Sequence, residues 1–124
     1  MQVQDYYAPT NARKRTEKLE VVKRYLFLAS MAPEGVWTIN FLSGYSTTWL
    51  GCTSVATTSG YKRNAAWLHP LVLEVLGYGG RPMGIVFMDY AGVEKVGGGL
   101  WHWKPFNVHG KMMLKTIVES NLRK

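Results

Sequence analysis

The chain holds only two aspartates, Asp5 and Asp89, and each ends a short β-prone run, QVQ before the first and GIVFM before the second. Each is followed directly by a tyrosine. If the runs are parallel strands, both carboxylates stand at C-terminal strand ends. In α/β folds that edge faces the ligand, because catalytic side chains there project into a shared mouth. The six glutamates fall in helical or loop segments instead. An aspartate after a strand also caps turns, but two at matching positions, with no third anywhere, point to a ligand site.

The other chemistry-bearing residues form no comparable pattern. His69 stands beside Pro70 and is expected to cap a helix, His102 lies between Trp101 and Trp103 in a loop, and His109 precedes the last helix. No two are spaced as metal ligands on one helix face, so surface or capping roles are expected and no metal is implied. Cys52 is the only cysteine, which excludes an internal disulfide and a cysteine-based zinc site. Gly97-Gly98-Gly99 lacks the Lys-Ser/Thr or GxGxxG context of a phosphate-binding loop. No cofactor is implied.

Three strand–helix units must position the aspartates. QVQDYY (2–7) starts as a strand, and Pro9, Thr10 and Asn11 break it and offer an N-cap. Leu19, Val22, Leu26 and Ala29 then recur every three or four residues, predicting a helix over 13–31 that Pro33 and Gly35 end. VWTINFL (36–42) is a second strand, rich in β-branched and aromatic residues. The segment 43–63 reads as a long Ser/Thr/Gly loop. Pro70 is expected to open a second helix with 71–76 as its apolar body, closed by Gly77. GIVFMDY (84–90) is a near-continuous apolar run, expected to be a strand covered on both faces. A glycine-rich loop leads to a last helix from about Gly110, with Met113, Leu114, Ile117 and Val118 expected on one face. The order β-α-β-α-β-α implies parallel strands with right-handed crossovers. Periodicity fits part of a doubly wound sheet or three-eighths of a (β/α)₈ barrel.

Composition narrows the partners. The chain has 124 residues, 47% hydrophobic and 19% charged, which is the balance of one globular domain. Its net charge of +7 favours anionic partners or simply makes a basic, soluble surface. The basic residues are scattered, and their one run, Arg13-Lys14-Arg15, opens a helix, so no nucleic-acid-binding arm is expected. No apolar run reaches the roughly 20 residues of a membrane-spanning helix. The opening residues carry no secretion-signal pattern.

The ordered set of motifs resembles the C-terminal part of the catalytic barrel of phosphatidylinositol-specific phospholipases C. VQDYY (3–7) resembles the strand of the bacterial enzymes that carries an Asp and, two residues later, a Tyr. WTINFLSGYS (37–46) resembles the following strand and loop, and GIVFMDY resembles the last barrel strand. His69-Pro70 stands where relatives often have Asn-Pro. The resemblance implies an α/β fold, a partial (β/α)₈ TIM barrel of three consecutive parallel β-α units spanning 1–124. It implies that Asp5 hydrogen-bonds inositol hydroxyls, that Tyr7 stacks on the ring, and that Asp89 is a catalytic residue orienting the imidazole of the general base. It implies no metal. In this family the inositol 2-hydroxyl attacks the phosphodiester, one histidine removes its proton and a second protonates the leaving oxygen. Those histidines belong to strands preceding the region seen here, so the chain alone is expected to be inactive.

The expected partners are phosphatidylinositol or a related anionic lipid and, peripherally, the membrane surface. The parent family is often secreted or found at membranes. Trp49, in the rim loop SGYSTTWLG, is expected either to touch the bilayer through its amphipathic indole or to pack on its own loop. Trp37 and Trp67 are expected in the core. Three strands also leave two unpaired edges, so self-association is expected. The rivals are a glycerophosphodiester phosphodiesterase-like barrel, for which no acidic metal cluster is visible, a non-catalytic module for inositol lipids or acidic surfaces, and a basic nucleic-acid-binding domain, which lacks a basic stripe.

Overall fold

The computed structural model describes residues 1–7, 12–44, 58–77, 81–97 and 105–122. Along them run β1 (Gln2–Gln4), α1 (Ala12–Met31), β2 (Thr38–Phe41), α2 (Thr58–Leu76), β3 (Ile85–Phe87), β4 (Lys95–Val96), β5 (Phe106–Asn107) and α3 (Gly110–Leu122). The first three strands form a parallel sheet in the order β1-β2-β3, with Val3 beside Ile39 and Ile39 beside Ile85. The protein is therefore a mixed α/β chain with a three-stranded parallel sheet and three helices, as the β-α grammar of the sequence predicts.

Successive strand residues point to opposite faces, and burial sorts them cleanly. Gln4, Thr38, Asn40 and Leu42 are buried on one face. There the sheet meets a single core built from Val22 and Leu26 of α1, Leu68, Val72 and Leu76 of α2, and Met113 and Ile117 of α3. The opposite face carries Val3, Trp37, Ile85 and Phe87, which are 44%, 62%, 37% and 48% exposed. Phe41 stacks on Phe87 there, with ring centroids 4.8 Å apart and planes 12° from parallel. Val, Ile and Phe side chains thus cover one helix-free side of the sheet.

Several expectations change at this point. GIVFMDY is not covered on both faces: Val86 and Met88 pack against the core, whereas Ile85 and Phe87 face outward. Trp37 shares their exposed side and is not core. Trp67 does pack against the core, half-buried, with the Arg15 guanidinium 5.8 Å from its ring centroid. The second helix begins at Thr58 and has Pro70 in its interior. Ala65, Leu68, Val72 and Leu76, all buried, form a stripe across the proline, and its packing outweighs the lost hydrogen bond of about 3 kcal/mol. Of the four apolar residues expected on one face of α3, Met113 and Ile117 are buried, while Leu114 and Val118 are exposed.

The glycine-rich segment also contributes structure. β4 and β5 form an antiparallel ribbon, Lys95 opposite Asn107 and Val96 opposite Phe106. Val108 N–H donates to Glu94 O (2.8 Å) and Gly110 N–H to Val93 O (2.7 Å), which docks the start of α3 onto the exit of β3. A Cβ at position 110 would overlap the carbonyl oxygen of Tyr90, so only glycine fits this approach.

The uncovered apolar side and the free edge of β1 predict association between copies and binding of hydrophobic dyes by the native chain. Val3→Lys places a charge on both features and should lower dye fluorescence and shift sedimentation toward monomer, with unfolding free energy changed by about 0.5 kcal/mol or less. A wild-type chain that sediments as a monomer without binding dye would contradict this.

Candidate functional site

The C-terminal edge of the sheet is held by buried polar side chains from the helix layer. Lys18 lies on α1 four residues before Val22, in line with the apolar stripe, and is fully buried. Its ammonium donates to the carbonyl oxygens of Tyr6 (2.7 Å), Ser43 (2.6 Å) and Phe41 (3.3 Å). Three protons meet three acceptors, so the donor capacity of the amine is used up. Burial pushes its pKa down from 10.5 to about 8, against the upward pull of the Asp5 and Asp89 charges. Asn64 of α2, also buried, donates its Nδ2 to Leu42 O (3.0 Å). The exit of β2 is thereby tied to α1 and α2 at once. Gly44 closes it, because a Cβ there would lie 2.5 Å from Tyr7 O and 3.2 Å from Lys18 Nζ.

Asp5 and Tyr7 follow β1 and are exposed, with Tyr6 half-buried between them. Asp89 follows β3 two residues after Phe87, and its Oδ2 accepts the Gly44 N–H (3.2 Å). The two carboxylates flank the exit of β2 and both act on the Lys18 ammonium. Tyr7 shares a hydroxyl–hydroxyl hydrogen bond with Tyr61 of α2. Their rings meet edge to face, centroids 6.3 Å apart and planes at 60°. Tyr90, in the left-handed region at φ 58°, has its phenol pKa raised by burial first, and then by Asp89 and Tyr61. Trp49 lies outside the described residues, as do His102, Trp101 and Trp103.

Chemically, the edge offers two carboxylates that accept hydrogen bonds from hydroxyls and tyrosine rings that can pack on a ring. Lys18 contributes the electrostatics of the edge without offering a free proton to a ligand. Among the described residues no three His, Cys, Asp or Glu side chains are grouped as a metal site.

Of the two described histidines, His109 stands directly before α3 as expected, whereas His69 is not the capping or surface group expected from sequence. His69 is fully buried within α2, and its Nδ1–H donates to Val108 O (2.5 Å). Nε2 is buried and has no partner among the described residues, and burial lowers the ring's pKa below the usual 6.5. His109 sits at φ 50° before α3, its Nδ1 3.9 Å from Glu94 Oε2.

Lys18, Asn64 and Tyr61 are the site residues that the sequence reading passes over. Lys18 has a signal, since it continues the Val22, Leu26, Ala29 stripe back by one turn. Asn64 and Tyr61 have none once 43–63 is read as loop and the helix is expected to open only at Pro70. Comparison with protein-family models, curated proteins and solved structures finds no match.

Two pH effects follow. The folded-state pKa of Lys18 lies below its unfolded value, so the unfolded chain binds that proton more tightly. The destabilisation from burying the charge is complete below pH 8 and lifts as pH rises toward 10.5. Lys18→Met should remove this rise between pH 8 and 10 and cost about 2–4 kcal/mol at pH 7, because buried carbonyls lose their donor. Denaturant unfolding across that range measures both. For His69, also depressed, stability is complete above pH 6.5 and falls as the pH drops below it. His69→Gln should flatten the limb between pH 6.5 and 5, and an unchanged limb would assign it to other groups.

Proposed function

We propose that this chain is part of a phosphatidylinositol-specific phospholipase C-like phosphodiesterase, a section of (β/α)₈ barrel wall whose C-terminal edge contacts the inositol headgroup. The observation that carries the reading is the arrangement of Asp5, Tyr7 and Asp89. They follow β1 and β3, the outer strands of the parallel sheet, and so share its C-terminal edge. In a barrel wall helices pack outside and the other face turns inward. The apolar face of Val3, Ile39, Phe41, Ile85 and Phe87 suits burial by further strands.

In this reading Asp5 accepts hydrogen bonds from inositol hydroxyls and Tyr7 packs on the ring. Asp89 orients an imidazole supplied by another strand, while its hydrogen bond from Gly44 N–H fixes the carboxylate plane. Trp49 serves as the bilayer contact, and the +7 charge draws the protein to anionic lipid. The general base and general acid reside on strands other than β1, β2 and β3.

Vesicle sedimentation tests the headgroup assignment. The chain should bind vesicles containing phosphatidylinositol in preference to phosphatidylcholine alone, and Asp5→Ala should reduce that preference several-fold. Equal binding to both lipids, or more avid binding to DNA, would remove the reading. The chain by itself should release no inositol cyclic phosphate, because a general base and a general acid are each worth about 10² to 10⁴ in rate. Release that Asp89→Asn abolishes would show that the chain holds its own base.

A further inference from the structure

The start of α2 reaches the exits of β1 and β2 and the residue after β4. Tyr61 meets Tyr7 after β1, Lys62 Nζ donates to Gly97 O after β4 (2.6 Å), and Asn64 Nδ2 donates to Leu42 O after β2 (3.0 Å). Asn64 is buried and pinned, so the helix turn that carries Tyr61 has a fixed position relative to the sheet. Tyr7, by contrast, lies beyond the last paired residue of β1 and is 44% exposed. Nothing in the β1 ladder itself orients its ring.

We propose that Tyr61 is a positioning residue for a ring-shaped polyol ligand, setting the orientation of Tyr7 beside Asp5. The inference rests on the reading above, in which Tyr7 packs on a cyclitol. An exposed tyrosine samples several rotamers, and ordering it on binding costs affinity. The hydrogen bond between the hydroxyls and the edge-to-face contact at 6.3 Å restrict that sampling before the ligand arrives. The Tyr90 phenol, after β3, also feels Asp89 and Tyr61 electrostatically. The consequence is selectivity for a ring over a bare phosphate, because an inorganic phosphate has no face for Tyr7 to pack on.

Calorimetric titration of the full chain with myo-inositol 1-phosphate and, separately, with inorganic phosphate tests this. Wild type should bind the cyclitol phosphate more tightly. Tyr61→Phe, which keeps the ring and removes the hydroxyl, should weaken that ligand by about three- to tenfold. Inorganic phosphate affinity and the unfolding midpoint should stay unchanged. Adding Tyr61→Phe to Tyr7→Leu should produce no further loss, since the first acts through the second. Equal weakening of both ligands, full additivity with Tyr7→Leu, or no effect of Tyr61→Phe would each overturn the inference. If Asp5→Ala abolishes the preference for the cyclitol while Tyr61→Phe leaves it intact, only the positioning role falls. If wild type shows no preference, the inositol reading falls with it.

Discussion

The C-terminal ends of β1 and β2 carry carbonyl groups at or beyond the last paired residue, and Lys18 is the group that satisfies them. A buried carbonyl without a donor costs about 1–3 kcal/mol, so three gathered at one point would disfavour this exit geometry strongly. One ammonium resolves all three. Its charge carries a desolvation cost, visible in the depressed pKa, and Asp5 and Asp89 offset part of it from the edge. The two carboxylates of this edge are thus also counter-charges of the cation that shapes their strands.

The helix side of the sheet is unusually polar. Gln4, Thr38, Asn40, Asn64 and His69 are all buried there with Lys18. Most act as pins between elements: Asn40 Nδ2 donates to Val22 O (3.0 Å), Gln4 Oε1 accepts the Phe41 N–H of the neighbouring strand (3.0 Å), and His69 reaches Val108. Each links an element to a neighbour distant in sequence, fixing layer register where apolar packing alone would tolerate sliding. The opposite face has the reverse character, apolar and uncovered. A sheet whose polar residues are inside and whose Val, Ile and Phe are outside has its sides assigned by what packs on them, and the outward side is suited to burial by further polypeptide.

Helix and strand order were legible because they depend on local periodicity. Leu19, Val22, Leu26 and Ala29 define α1 without reference to anything else, and the β-branched runs define β2 and β3. Pro70 misled because a proline is a strong local signal, whereas the stripe of Ala65, Leu68, Val72 and Leu76 that overrides it gains its energy only from the core it meets. The β4–β5 ribbon was hidden for a related reason. Two-residue strands have no periodicity, and their pairing depends on chain segments brought together by α3 docking.

The edge position of Asp5 and Asp89 could be read from sequence, since a residue that ends a parallel strand has its location set by the strand itself. The sequence by itself determined the β-α-β-α-β-α order of the main elements, the parallel sheet and the edge on which both carboxylates stand. Only the tertiary structure decided which sheet face the helices cover, that Lys18 and His69 are buried, that Trp37 is exposed, and that Tyr61 meets Tyr7. Strand alternation separates two faces but does not name the covered one. Contacts between residues 54 positions apart exist only once the helices have docked.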